Sequence, residues 1–210
     1  MNIKKIVLAT AIAALTPSIA SAGFLNNWQM DADKDGNYVT VSEYLDLTGN
    51  SYIQNTFSTA NDFTFKDDGF FNIAGVDGGG ITSLKDSNDS TFPSKELTAI
   101  FTGATGSGTL NGGITFNFGA QLELFADSAF NYGSTDGIFG ANDGESLAQF
   151  TLVSGTGIVG ADAVPNGLIT LIFAATQLDA GVFLDENGND LSDMLDSDPL
   201  VDPLLFGFVT

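Results

Sequence analysis

Hydrophobic residues along this chain recur at every second position, the period of a half-buried strand. Ile114-Thr115-Phe116-Asn117-Phe118 alternates cleanly, and Leu122-Glu123-Leu124 resumes the pattern. Phe63-Thr64-Phe65 alternates ahead of a turn expected at Lys66-Asp67-Asp68-Gly69. Leu147–Val153 and Leu168–Ala174 are more continuously apolar, as expected of strands buried on both faces. Leu204–Val209 predicts another apolar strand. Turn signals lie between these segments at Thr105-Gly106-Ser107-Gly108, Asn142-Asp143-Gly144, Ser154-Gly155-Thr156-Gly157, Asn166-Gly167 and Asn187-Gly188. Asn111-Gly112-Gly113, between Thr109-Leu110 and Ile114-Thr115-Phe116, predicts a hairpin. One short helix is expected over Val41–Leu47. There Thr40-Val41-Ser42-Glu43 reads as a capping box and Gly49 as a C-terminal stop. No repeat or linker divides residues 23–210. They read as one all-β domain, an antiparallel β-sandwich or jelly roll with one short helix near the N-terminus.

Residues 1–22 read as a secretory signal peptide rather than part of this fold. Lys4 and Lys5 form the basic start, Ile6–Leu15 is a short apolar run, and Ala20-Ser21-Ala22 fits the small-residue cleavage rule. No later apolar run approaches the roughly 20 residues of a transmembrane helix. The expected location is outside the cell or on the outer surface of a bacterium, of the Gram-negative type.

Charge then narrows the chemistry. The 210 residues carry 6 basic and 26 acidic side chains, a formal charge of −20. All six bases are lysines, and there is no Arg, His or Cys. A serine triad lacks its imidazole and a cysteine protease its thiolate. The usual Cys and His zinc ligands are missing, and so polyanionic a chain repels nucleic acid. Paired carboxylates can cleave glycosides without these residues, but no spacing singles out a pair among Glu43, Glu96, Glu123, Glu145, Glu186 and the aspartates. The chain reads as a non-enzyme. No base follows Lys95, so the C-terminal half must be solvated or bind cations.

The acidic residues are patterned for a hard cation in one place. Asp31-Ala32-Asp33-Lys34-Asp35-Gly36-Asn37 places carboxylates at loop positions 1, 3 and 5, glycine at 6 and a backbone carbonyl from Asn37 at 7. Calcium, with flexible oxygen coordination, is the expected cofactor. A helix–loop–helix calcium loop wants a bidentate Glu at position 12, where this chain has Ser42; Glu43 follows one residue late. Glu43 either ligates metal through a bulge or closes the capping box. A second candidate set is Asp185, Asn187, Asn189 and Asp193. It departs from a proper calcium loop because Asp190 stands where glycine is wanted, and it also reads as a solvated Asn-Gly turn.

Three segments carry a family resemblance: Tyr132-Gly133-Ser134-Thr135-Asp136-Gly137, Leu147–Gly157, and Gly181-Val182-Phe183-Leu184-Asp185 with Asn189-Asp190-Leu191-Ser192. In these the chain resembles the flocculation-associated PEP-CTERM proteins of the PepA type. The resemblance covers about half the chain through loose strand and turn patterns. It implies an exported bacterial protein acting in floc or biofilm formation alongside exopolysaccharide, and it brings no catalytic residues. The Pro-Glu-Pro sorting tail of that family does not occur before Thr210. The expected function is therefore calcium-assisted adhesion or self-assembly, with a second copy or exopolysaccharide as partner. The terminal strand Leu204–Val209 is the expected pairing element. The alternative is a monomeric carbohydrate-binding module, which needs an exposed row built from Trp28, Tyr38, Tyr44, Tyr52 or Tyr132.

Overall fold

The computed structural model describes residues 27–80, 84, 95–134, 138–159, 167–195 and 204–209. The expected signal segment at 1–22 lies outside them, as does Asn166 of the expected Asn166-Gly167 turn.

The described chain is antiparallel β throughout. Its strands are β1 (Trp28–Met30), β2 (Val39–Val41), β3 (Leu45–Phe57), β4 (Asp62–Val76), β5 (Glu96–Thr109), β6 (Gly113–Phe116), β7 (Gln121–Asp127), β8 (Glu145–Val159), β9 (Gly167–Leu178), β10 (Phe183–Leu184) and β11 (Leu205–Val209). A 3-10 turn spans Leu191–Met194. Among the described residues no helix is long and apolar enough to cross a membrane.

Two sheets form. β10, β1 and β2 make a small one, and the other eight strands make a large one in the order β11-β9-β8-β6-β5-β4-β3. β7 shares the lane of β6, since both lie between β5 and β8. Apart from β6 and β7, successive strands of the large sheet are neighbours within it. This is a meander facing a small second sheet, and the crossing connections of a jelly roll are absent from the described strands.

Long strands must curl to bury one face, and the aromatic contacts record the curl. Phe101 of β5 meets Phe173 of β9 edge-on at 5.9 Å, although two lanes separate their strands. Phe65 of β4 reaches over β5 to Phe116 of β6 at 4.9 Å. The small sheet closes onto this core through Trp28, which lies 5.9 Å from Phe183 and 6.5 Å from Phe206. Phe206 in turn meets Phe150 at 4.7 Å. On the opposite face, Tyr132 and Ile138 cover Ile100 and Phe125.

The hairpin expected at Asn111-Gly112-Gly113 forms, with Gly108 opposite Ile114. The helix expected over Val41–Leu47 does not. Val41 ends β2, and Leu45 begins a 13-residue strand paired with β4 from Leu45↔Val76 to Phe57↔Phe63. The amides that would have opened the helix are taken by a distant carboxylate: Ser42, Glu43 and Tyr44 donate to Asp77 at 2.8, 2.7 and 3.1 Å. A capping box contributes about 1 kcal/mol, too little to outweigh a full ladder of pairing.

Three expected turns lie within strands. Lys66-Asp67-Asp68-Gly69 sits inside β4, with a register shift against β5. Ser154-Gly155-Thr156-Gly157 continues β8. Thr105-Gly106-Ser107-Gly108 continues β5, and its glycine answers a packing need. A Cβ on Gly106 would stand 2.4 Å from the Phe65 ring and 2.3 Å from the Thr115 carbonyl oxygen. Glycine there admits the aromatic bridge rather than turning the chain.

Candidate metal centre

Met30 pairs with Val39, so residues 31–38 are the loop of the β1–β2 hairpin. Asp31 leaves β1 with its backbone N–H donating to the Val182 carbonyl at 2.8 Å. Its carboxylate is buried, 4 % exposed, and accepts from the amides of Asp35 (3.2 Å) and Gly36 (2.9 Å). Positive φ at Lys34 (59°) and Gly36 (88°) folds the loop back over that carboxylate, and glycine takes the second such position without strain. Asp35 accepts from the Asn37 amide at 2.8 Å and from the Asn37 side chain at 2.9 Å.

The result is a carboxylate cluster. One oxygen each from Asp31, Asp33 and Asp35 lies within 4.8 Å of the others. An ion with ligands at 2.3–2.6 Å spans oxygens up to about 5 Å apart, so calcium fits this spacing. The electrostatics favour a cation as well. Burial pushes the Asp31 carboxyl above the usual aspartate range, the Gly36 amide pulls it back, and neighbouring Asp33 pushes it up again. Three carboxylates this close repel one another unless a cation joins them. Lys34 in the same loop is engaged elsewhere, with its ammonium 2.5 Å from Asp179 and 3.6 Å from Glu145. Those contacts, the Asp179 hydrogen bond foremost, hold Lys34 above its usual range.

Of the expected ligands, the structure brings Asp31, Asp33 and Asp35 together, with Asn37 hydrogen-bonded to Asp35. Glu43 is not among them. The Ser42 carbonyl accepts from Asn27 at the start of β1, so Glu43 lies at the opposite end of the hairpin from Asp31. It also closes no capping box, because its amide is held by Asp77. A helix–loop–helix calcium loop folds back through its exit helix, whereas here the chain leaves along β2 and carries position 12 away.

The second set forms a self-satisfied turn. Asp185 accepts from the amides of Asn187 and Asn189 and from the Asn189 side chain, each at 2.8 Å. These bonds, that from the Asn189 side chain first, hold its carboxyl below the usual range. Asp193 lies on the following 3-10 turn, with its amide directed to the Asp190 carbonyl. The described residues do not gather Asp185 and Asp193 into a carboxylate trio like that of the hairpin loop.

Two carboxylates with defined roles were missed by reading patterns. Asp77 has φ 52° and binds three successive amides; burial pushes its carboxyl up, but those donors outweigh it and the group sits below the usual range. Asp67 takes an inward position of β4, in step with Phe63 and Phe65. Carrying the period of two one step further would have found it. Comparison with protein-family models, with curated proteins and with solved structures gave no match to this chain.

Proposed function

We propose that this chain is an exported, acidic β-domain of the bacterial cell surface or extracellular matrix, which binds calcium at the Asp31–Asp33–Asp35 loop and adheres or self-assembles when the cation is present. The observation that carries the reading is the convergence of three carboxylates within 4.8 Å, in a loop whose sequence has calcium-ligand spacing. Export rests on the residues 1–22 pattern, and the surface role on the resemblance to flocculation-associated PEP-CTERM proteins. Without residues 1–22 the charge is −22, because that segment holds two lysines and no acid. A charge of that size keeps copies apart until divalent cations or salt screen it.

The sheet offers two edges for assembly. The expected edge, Leu204–Val209, contains β11, which pairs with β9 along one side. The other edge is β3, 13 residues long, with Tyr52 68 %, Ile53 52 % and Phe57 51 % exposed. Among the described residues no strand covers its outer side. An uncovered strand of that length is a template for pairing with another chain. The carbohydrate-module alternative loses Trp28, which is buried against Phe183 and Phe206 and provides no sugar platform, but keeps the exposed Tyr38, Tyr44 and Tyr52.

Light scattering of the chain across a calcium titration tests the reading. Assembly is expected only with calcium, and Tyr52→Lys, which puts a charge on the β3 edge, should suppress it. A wild-type chain that stays monomeric at every calcium concentration overturns self-assembly.

A further inference from the structure

The curled sheet is not completely filled. A cavity of about 260 Å³ lies in its concave side, between β3, β4 and β5 on one flank and β9 on the other. Phe71, Phe101, Phe116 and Phe173 supply its aromatic wall. Ser51 and Ile53 stand at its β3 side and are both exposed, which marks the mouth. An apolar cavity of roughly 150 Å³ takes up benzene, so this one has room for roughly ten non-hydrogen atoms.

One wall residue is out of keeping with the rest. Asp67 follows Phe63 and Phe65 on the inward face of β4 and is only 8 % exposed. Its Oδ1 accepts the Ser51 hydroxyl. No ion pair reaches it among the described residues, where Lys34 makes both of the salt bridges. Lys66, next in sequence, is on the exposed face of the strand. Burial holds the Asp67 carboxyl above the usual range; Ser51 opposes this, and the neighbouring Asp68 charge adds to it. A carboxylate taken out of water without a counterion is expensive, and a partner that brings both charge and N–H donors relieves that cost. Among the described residues no such partner stands there. Its −20 charge also concentrates cations and repels anionic amphiphiles.

We propose that this cavity binds a small organic cation, an apolar body of about ten non-hydrogen atoms carrying a protonated amine, with the ammonium on Asp67 and the body against the four phenylalanines. The site lies in the large sheet, separate from the calcium loop, and does not depend on it.

Isothermal titration of the full chain with phenethylamine, phenethyl alcohol and hydrocinnamate tests this. Phenethylamine should bind at least tenfold more tightly than the alcohol, and hydrocinnamate should bind least. Asp67→Asn, which keeps the shape and an acceptor for Ser51, should weaken the amine at least tenfold and leave the alcohol unchanged. Ile53→Trp, at the exposed mouth, should weaken both. Circular dichroism and thermal melting of each variant confirm that it is folded. Equal binding of amine and alcohol, an Asp67→Asn chain that binds the amine like wild type, or no binding of the amine by folded wild type at millimolar concentration would each overturn the proposal.

Discussion

Phe173→Ala probes the closure of the large sheet more sharply than any other single change. Phe173 is 1 % exposed and meets Phe101 at 5.9 Å with the rings 86° apart. Losing the buried side chain removes about 2 kcal/mol of transfer free energy, and losing the edge-to-face pair removes about 1 kcal/mol more. The general range for Phe→Ala in a core is about 3–5 kcal/mol. The lower end is expected here because Phe173 already borders the 260 Å³ cavity, so one side of its ring has few packing partners to lose. For a domain of this size, about 3 kcal/mol lowers the melting temperature by roughly 6–12 °C. Phe118→Ala is the control: that ring is 79 % exposed, and its loss should stay within about 0.5 kcal/mol. Urea unfolding gives both values, and a double-mutant cycle with Phe101→Ala should return a coupling of about 0.5–1.5 kcal/mol. A Phe173→Ala cost below about 1 kcal/mol, or zero coupling to Phe101, would refute the curled arrangement that brings β9 onto β5.

Asp77→Ala strips the acceptor from the Ser42, Glu43 and Tyr44 amides and should lower stability by about 1 kcal/mol at neutral pH, by analogy with a lost helix cap. Because the folded-state carboxyl sits below its ordinary value of 3.8, its contribution is present above that pH and fades as pH falls further, so wild type and variant should converge in acid melts. Gly106→Val should destabilise by about 1–3 kcal/mol, because the new side chain meets both the Phe65 ring and the Thr115 carbonyl. Urea denaturation measures this, and an unchanged midpoint would contradict the aromatic bridge over β5.

The antiparallel class was legible because inward and outward positions alternate in β2, in β6 and along the first part of β4, as in Phe63, Phe65 and Ile114, Phe116. What misled was local chemistry read without its partners. Gly106 and Gly155 look like turn residues in a list of letters, yet both lie within long strands. The capping box at Thr40–Glu43 was a sound local signal, but Asp77, more than thirty residues away, takes the same amides. Asp31, Asp33 and Asp35 could be read together because their spacing is a property of the loop itself. Glu43 could not be placed, because its distance from the loop depends on the chain leaving along β2. Asp67 was hidden by its own acidity: Asp-Asp-Gly suggests a turn, while burial at that position depends on the curl of the whole sheet.

Isothermal titration of the full chain with calcium at neutral pH tests ion binding at the hairpin loop. Wild type should bind one ion with a dissociation constant on the order of 10⁻⁴–10⁻³ M, the range of extracellular calcium modules. Asp33→Ala, which removes one of the three converging carboxylates while sparing the buried Asp31 bonds to Asp35 and Gly36, should weaken that binding at least tenfold. Absence of binding by wild type at millimolar calcium, or equal binding by the variant, would contradict ion binding there and leave the loop a hydrogen-bonded turn.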